Sequence, residues 1–495
     1  MKKITLIGLL ALILVPLFFT NCEGLDENYS SNPNLNISFS TDTLSFDTVF
    51  TTVGSTTGQF MIYNHNKENL KIESLMLASG GTSGFRINLD GRKGTSFNDV
   101  SLLKDDSMYV FVEVTVNPNG VNEPLLIQDS VIAVVNGVKK SVLLQAFGQD
   151  VHLYKGGETL SGDVTLMADK PYLVYDSLVI APNSTVRVEP GATFYMHSRA
   201  NLIAHGTLLA EGTQEKPITF RGDRLDYILS NVLTYDSSPS QWGGIFFKKE
   251  SFGNKMSYAI VRNGTTGITC EQSDPSQEKL SIDQSQVTNA GTNLFSAINC
   301  KVKAASSEFS NAGGNVVTLV GGNYSFAHCT LANFMILTTR GGSSSSSEES
   351  ITLHILNNAK VNNSGPYPIE SAVFRNCIID GSYDVATSGG EIAVTTDASQ
   401  SSFSYLFDHC VLKMASTQNE HFTHNIFITE SQVYRKRGEK VNKYAFDFRP
   451  DTVTDVCVGK ADPTIAALYP ADRYGVSRLT SSNAPTIGAY EFVKK

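Results

Sequence analysis

Three aspartates and one histidine in the last third of the chain carry the side chains best suited to catalysis: Asp380, Asp384, Asp408 and His409. Paired carboxylates about 5–9.5 Å apart act as acid and base, or as acid and nucleophile, in glycoside hydrolysis. Carboxylate oxygens are also the ligands that Ca²⁺ prefers. We therefore name these four as candidate catalytic residues. The alternative is that they are solvated acids in surface bends.

A second group, Glu420, His421 and His424, has metal-like spacing only if its segment is helical. The neighbouring Phe422 and Ile426 indicate a strand or loop instead. Because no third ligand is defined, the sequence predicts no metal. We also expect no cofactor, except Ca²⁺ if the chain is a lyase.

Aromatic side chains could form a shallow platform for a sugar. Tyr227, Tyr235 and the single tryptophan, Trp242, lie within or beside the segment 223–240. Rings of this kind combine an apolar face with a polar edge. We name these three as candidate ligand-binding residues. The alternative is that such rings cap the open end of a repeat structure.

Composition limits the classes of partner. The 495 residues carry a net charge of −9, and 18% are charged. No basic run stands out in the body of the chain, which argues against nucleic-acid binding. Seven cysteines are too few for a disulfide scaffold.

The elements that must position these residues follow from an internal repeat. Asn289, Asn311 and Asn333 are spaced 22 residues apart and occupy equivalent places in similar phrases. Earlier pairs at the same spacing are Ile180 with Leu202 and Val186 with Leu208. Short alternating strands at this period predict the coils of a parallel β-helix, about 10 to 12 of them. Asparagine suits the bends because it tolerates left-handed φ angles.

The period of 22 identifies the residues that stand one coil apart on a lateral face, and so shows whether acids stack there. The positions one coil apart are Glu308 with Gln286 and Thr330, and Asp283 with Ala305 and Ala327. This strip is neutral and polar, which counts against catalysis there. Segments 223–240, 341–349 and 418–442 break the period and predict loops.

The phrase Phe-x-His/Asn-Cys recurs at Cys329, Cys377 and Cys410. The spacings of 48 and 33 residues do not match a metal or redox motif. We expect these cysteines to be small inward-facing residues.

Residues 37–150 follow a period of two, with turn signals between the strands. Asn136-Gly137, between two alternating runs, predicts a hairpin. The region resembles immunoglobulin-like β-sandwich modules of bacterial surface proteins. Such a module is expected to act as a spacer, with peptide or glycan binding as the alternative.

The first 21 residues have a positive head, Lys2-Lys3, and an apolar run from Ile4 to Phe19. This pattern is typical of a secretory signal. Cys22 follows directly, and the segment resembles the lipobox of bacterial lipoproteins, although Phe19 and Asn21 are larger than usual there. The resemblance implies lipidation of Cys22, a linker over 22–36 and export to the outer membrane. The acidic residues after Cys22 suggest the exterior face.

The phrases 189–193, 210–213 and 216–220 resemble the opening coils of exported right-handed parallel β-helix proteins, the pectate-lyase-like superfamily. Residues 485–491 resemble the closing segment of that group. The expected fold class is thus all-β, with a β-sandwich followed by a right-handed parallel β-helix over 151–495. Lyases, hydrolases and adhesins share the fold, so it does not decide function.

Three hypotheses remain open. The first is a surface-tethered, non-catalytic β-helix that binds polysaccharide or a surface partner. The second is a polysaccharide lyase or glycoside hydrolase, which requires the acids named above to converge with a base such as Arg375. The third is a structural spacer without a ligand.

Overall fold

A computed structural model describes the chain as two compact units, Met1–Asp150 and Val151–Lys495. The described residues are 28–120, 122, 124–229, 233–341, 350–358, 365–396, 403–432, 434–438, 445–479 and 484–494. The predicted leader, the predicted lipidation site Cys22 and most of the predicted loop 341–349 lie outside them. No described helix is both long and apolar enough to cross a membrane.

The first unit consists of two five-stranded sheets around one hydrophobic core. Burial alternates along the strands, as the period of two predicts. In spatial order, the first sheet contains β1 (Ser38–Phe39), β3 (Gly58–Tyr63), β8 (Ser107–Val114), β5 (Phe85–Leu89) and β6 (Arg92–Gly94). The second contains β2 (Thr43–Phe50), β10 (Val138–Gln149), β9 (Leu125–Val135), β4 (Leu70–Leu77) and β7 (Ser96–Leu102).

The hairpin predicted at Asn136-Gly137 is confirmed. β9 and β10 pair antiparallel, with Val135 opposite Val138. Asn136 and Gly137 both have positive φ, 50° and 73°, as a two-residue hairpin turn with right-handed twist requires. The immunoglobulin-like assignment of the unit stays a prediction.

The second unit is built on three long parallel sheets, so the predicted all-β parallel β-helix is confirmed. Sheet I has eleven strands: β11 (His152–Tyr154), β14 (Tyr172–Val174), β17 (Thr193–Met196), β20 (Ile218–Gly222), β25 (Ala259–Arg262), β28 (Gln286–Ala290), β31 (Glu308–Ala312), β34 (Thr330–Asn333), β37 (Ile378–Gly381), β40 (Val411–Lys413) and β42 (Ile426–Ile428).

Sheet II has nine strands: β12 (Glu158–Leu160), β15 (Ser177–Ile180), β18 (Asn201–Ala204), β23 (Gly244–Phe247), β26 (Ile268–Cys270), β29 (Phe295–Ile298), β32 (Val317–Val320), β35 (Leu353–Leu356) and β38 (Ile392–Thr395). Sheet III has ten: β13 (Asp163–Leu166), β16 (Thr185–Val188), β19 (Thr207–Glu211), β24 (Asn254–Ser257), β27 (Glu278–Asp283), β30 (Lys301–Ala305), β33 (Gly322–Ala327), β36 (Ile369–Arg375), β39 (Phe403–Asp408) and β41 (Phe422–Thr423).

Like residues stack along the axis inside the β-helix, because each coil buries its apolar side against its neighbours. Tyr172, Phe194 and Phe220 form one stack, with ring centroids 4.8 and 4.7 Å apart. The three repeated cysteines are free and buried, as expected. One register was predicted wrongly: Ile180 pairs with Ala204, not Leu202, because that coil is two residues longer.

Two ladders of bends carry left-handed residues. At the ends of neighbouring strands of sheet I, Asn263, Asn289 and Asn311 have φ of 67°, 62° and 63°. Asn289 Nδ2 donates to Asn263 Oδ1 at 2.7 Å, so these amides bond along the axis. Asn333 lies on the same ladder but is not left-handed.

The second ladder lies between sheets III and I, where the repeated phrase places a His or Asn. His328, Asn376, His409 and His424 occupy this corner on successive coils, with φ between 49° and 53°. We call these four residues the corner ladder.

The remaining elements are short. The predicted loop 223–240 contains the hairpin β21 (Tyr227–Leu229) and β22 (Leu233–Thr234), followed by a 3₁₀ turn, Tyr235–Ser237. The short helix α1 (Val385–Ser388) lies between β37 and β38. After the coils, β43 (Tyr434–Arg437) pairs with β44 (Phe446–Pro450), and the helix α2 (Pro463–Leu468) follows.

Candidate functional site

Asp380 is a buried structural residue. Its carboxylate accepts hydrogen bonds from Tyr434 Oη at 3.0 Å and from the Gln432 amide at 3.2 Å, and it faces Lys413 Nζ at 3.9 Å. The side chain has no exposed area. Burial raises the pKa of Asp380 to about 6, against the opposing effect of Lys413. No solvent-borne substrate reaches this group in the folded chain.

Asp384 caps the short helix α1. Its Oδ1 accepts a hydrogen bond from the Thr387 amide at 2.9 Å. This and the Thr387 hydroxyl hold the pKa of Asp384 below its usual value. N-capping accounts for the aspartate without any ligand.

Asp408 and His409 do lie together, at the end of β39, and the next coil adds His424. Asp408 Oδ1 lies 2.9 Å from His409 Nδ1 and 3.1 Å from His424 Nδ1. The Thr423 hydroxyl donates to the same oxygen at 2.8 Å. Burial alone would raise the pKa of Asp408, but the hydrogen bonds from His424 and Thr423 outweigh it and lower the pKa.

The four predicted catalytic residues therefore do not converge. Arg375 pairs in register with Asp408 on the neighbouring strand, so Arg375, Asp408 and His409 are adjacent. Asp380 is buried and the exposed Asp384 caps a helix, which leaves Asp408 as the one proposed acid beside His409 and Arg375. A mechanism with paired carboxylates needs two.

The neutral strip on the outer face of sheet I is an internal interface. The predicted registers of Glu308 with Gln286 and Thr330 are confirmed. The C-terminal segment covers them: Tyr490 Oη bonds to Glu308 and Gln286, and the Ala489 amide donates to Thr330 Oγ1 at 3.0 Å. Because this strip of sheet I is covered, its residues offer no free surface to a polysaccharide.

Trp242 cannot be a ligand platform. Its side chain is fully buried in the core of the β-helix, and its Nε1–H donates to the Arg262 carbonyl at 2.8 Å. The ring packs among the apolar side chains of the β-helix core, so the prediction that Trp242 forms part of a surface platform for a sugar was wrong.

Tyr227 and Tyr235 are accessible. Tyr227 is 48% exposed at the start of β21. Tyr235 begins the 3₁₀ turn, and the Arg224 guanidinium lies 3.9 Å from its ring centroid. Arg224 is itself held by Asp226, to which its Nε donates at 2.7 Å.

An ionic network fastens this loop to sheet I. Asp236 pairs with Arg221 and Arg262, which belong to adjacent strands, at 2.8 Å each. Tyr195 pairs in register with Arg221, whose guanidinium lies 5.8 Å from the tyrosine ring centroid. Arginine and tyrosine side chains thus alternate on the outer side of the first coils. We call Tyr195, Arg221, Arg224, Tyr227 and Tyr235 the tyrosine–arginine surface.

The first unit has a concave pocket of about 530 Å³ on its β3–β8–β5–β6 side. Its lining includes Arg86, Lys93, Phe111 and Glu113. The size is within the range of small-molecule sites. If the first unit binds a peptide or glycan, the alternative stated above, this pocket is the candidate site.

The comparison with protein-family models assigns the chain to no family, because no family model matches it. A stretch of 140 residues is 26% identical to Protein bark beetle of Drosophila melanogaster; it covers 28% of this chain and only 4% of that protein.

Among solved structures, the catalytic unit of a GH87 α-1,3-glucanase from Streptomyces thermodiastaticus is similar over 74% of this chain and 82% of its own, with 10% identity and a TM-score of 0.28. A protein of unknown function from Porphyromonas gingivalis W83 covers 26% of this chain and 58% of its own, with 12% identity and a TM-score of 0.18. Likeness at this level assigns no activity.

Proposed function

We propose that this chain is a lipid-anchored protein of the outer membrane, facing the cell exterior, whose β-helix binds polysaccharide without cleaving it. The observation that carries the proposal is the tyrosine–arginine surface, in which Asp236 ties an inserted loop to the rigid coils through Arg221 and Arg262. A rigid support lowers the entropy cost of ordering side chains on a ligand.

The chemistry of the surface fits a hydroxylated ligand. Tyrosine presents an apolar face and a hydroxyl group. Arg224 and Arg221 are already paired with Asp226 and Asp236, and their remaining guanidinium N–H groups are donors for hydroxyl or carboxylate oxygens. A sugar chain that carries uronic acids matches both features, so acidic polysaccharides are the first ligands to try.

The non-catalytic part of the proposal rests on the acids. Asp380 is buried and Asp384 caps a helix, while Glu308 is covered by Tyr490. Asp380 and Glu308 are buried away from a solvent-exposed glycosidic bond, and the exposed Asp384 has no second accessible carboxylate among them to complete a catalytic pair.

The binding test uses residues 22–495 with Cys22→Ser, on an array of acidic and neutral polysaccharides, read for bound protein and for released reducing or unsaturated ends. We expect binding without release, and at least about fivefold weaker binding for Tyr235→Ala and Tyr227→Ala, because truncation of an aromatic hot-spot residue costs more than about 1 kcal/mol. Tyr109→Ala, which removes a tyrosine 46% exposed in the first unit, is the matched control.

Each departure from this pattern has a clear meaning. Release of sugar ends contradicts the non-catalytic proposal. Loss of binding in Tyr109→Ala but not in Tyr235→Ala moves the site to the first unit. Anchoring is tested separately: the full chain should partition into detergent, and Cys22→Ser should remain in the aqueous phase. Equal partitioning would refute lipidation.

A further inference from the structure

The open end of the corner ladder brings together three side chains that ligate metals. Phe407 pairs with Phe422 and Asp408 with Thr423, so the following residues, His409 and His424, occupy equivalent corners of adjacent coils. Both have left-handed backbones, with φ of 51° and 53°. Their rings stack with centroids 4.6 Å apart. The fold itself, rather than a flexible loop, therefore sets the separation of the two imidazoles.

The distances suit a single ion. The potential ligand atoms of Asp408, His409 and His424 all lie within 4.8 Å of one another, and within the described part of the chain no other such trio occurs. Two ligands of a tetrahedral Zn²⁺ with bonds of about 2.1 Å stand about 3.3 Å apart. The Asp408 Oδ1 to Nδ1 distances of 2.9 and 3.1 Å are within a few tenths of an ångström of that spacing.

A second residue orients the carboxylate. The Thr423 hydroxyl donates to Asp408 Oδ1 at 2.8 Å, which fixes the side chain between the two rings. Hydrogen bonds to a ligating carboxylate are a regular feature of protein metal sites.

Solvent reaches this end of the ladder but not the earlier part. His328 is fully buried, and Asn376 is covered by the C-terminal segment through reciprocal hydrogen bonds with the backbone of Asp462, at 2.8 and 3.0 Å. The side chain of His409 is 27% exposed and that of His424 is 71% exposed. An ion can therefore enter, and a water or ligand oxygen can complete its coordination.

We propose that Asp408, His409 and His424 bind one divalent transition-metal ion of the Zn²⁺ class, with a position left open to solvent. Two imidazoles and one carboxylate favour Zn²⁺, Ni²⁺ or Cu²⁺ over Ca²⁺ and Mg²⁺, which prefer oxygen ligands alone. Three protein ligands with an open position are typical of exchangeable rather than closed structural sites. The proposal is independent of polysaccharide binding and departs from the expectation of no metal.

The test is titration calorimetry of residues 22–495 (Cys22→Ser) with ZnCl₂, CaCl₂ and MgCl₂. Cobalt absorption serves as a second readout, because Co²⁺ reports coordination directly. We expect one Zn²⁺ per chain and no Ca²⁺ or Mg²⁺ binding at these residues. Affinity should fall at least about tenfold in both Asp408→Asn and His424→Gln.

His205→Gln is the matched control, because it removes an exposed histidine paired with a carboxylate, Glu250, and no second imidazole. His205→Gln should bind Zn²⁺ as the parent does. His424 is largely exposed, so its variant should fold, and fluorescence of the buried Trp242 verifies this. Absence of Zn²⁺ binding, or binding that survives both substitutions, would overturn the proposal and leave the trio as a hydrogen-bonded bend.

Discussion

The hydroxyl of Tyr490 donates a hydrogen bond to the carboxylate of Glu308, 182 residues earlier in the chain. Both residues are buried. Glu308 also accepts hydrogen bonds from Ser310 Oγ at 2.6 Å and from Gln286 Nε2 at 3.3 Å. The bond fixes the C-terminal segment over Glu308, Gln286 and Thr330 and removes this strip of sheet I from the possible binding surfaces.

Tyr490→Phe should therefore destabilise the β-helix by about 2 kcal/mol, because hydrogen bonds to charged groups contribute about 1.5–3 kcal/mol. Trp242 is the only tryptophan and is buried in the β-helix, so its fluorescence during urea unfolding follows this unit. Tyr474, whose ring stacks on Tyr490, supplies the control: Tyr474→Phe should change stability by less than about 0.5 kcal/mol. Equal effects would contradict a special contribution of the Tyr490–Glu308 hydrogen bond, because both substitutions keep the ring and remove only a hydroxyl group.

Asn311 and Asn333 should respond in opposite ways to glycine and alanine. Asn311 has φ of 63°, a conformation that costs alanine about 1 kcal/mol and glycine nothing. Asn333 lies in β34 without a left-handed backbone. In urea unfolding, Asn311→Gly should have a larger free energy of unfolding than Asn311→Ala. At position 333 the order should be reversed, with Asn333→Ala more stable than Asn333→Gly. The same ranking at both positions would contradict the assignment of the two backbones.

The repeat could be predicted from the sequence because the middle coils share one length. Glu308, Gln286 and Thr330 stand in the register that a period of 22 predicts. The period fails where coil length changes. Asp408 and Thr423 are paired at a spacing of 15, so no 22-residue alignment brings His424 beside His409.

The fate of individual side chains was less predictable than the fold. Asp380 follows two isoleucines in β37, and Gln432 and Tyr434 return from a later segment to bond to its buried carboxylate. Trp242 follows a loop but pairs through an isolated bridge with Gly264, which draws it into the core. Both outcomes depend on contacts distant in sequence, which local patterns do not encode.

Arg375 supplies a charge test of the proposed metal site. It pairs in register with Asp408, so its positive charge opposes a bound cation. A unit charge and a divalent ion about 8 Å apart in water interact by about 1 kcal/mol. Arg375→Gln should therefore strengthen Zn²⁺ binding about fivefold at low ionic strength, and salt should reduce the difference. Lys303→Gln, on a distant coil of the same sheet, should leave the affinity unchanged. Weaker binding in Arg375→Gln would contradict this electrostatic account.

Asp380 should make the β-helix less stable as the pH rises. Its folded pKa is raised to about 6, above the unfolded value of 3.8, so the folded chain holds this proton more tightly. The contribution is fully present below pH 3.8 and is lost as pH rises through 6. A shift of this size corresponds to about 3 kcal/mol. Asp380→Asn has no such proton.

The free energy of unfolding of the parent, measured against that of Asp380→Asn by Trp242 fluorescence, should therefore fall between pH 4 and pH 7. Asp384→Asn tests the opposite pH dependence of the free energy of unfolding. The pKa of Asp384 is lowered by Thr387, so its contribution is present at neutral pH and lost on acidification. A parent that gains stability relative to Asp380→Asn over the same interval would mean that Lys413, at 3.9 Å, outweighs the burial of the carboxylate.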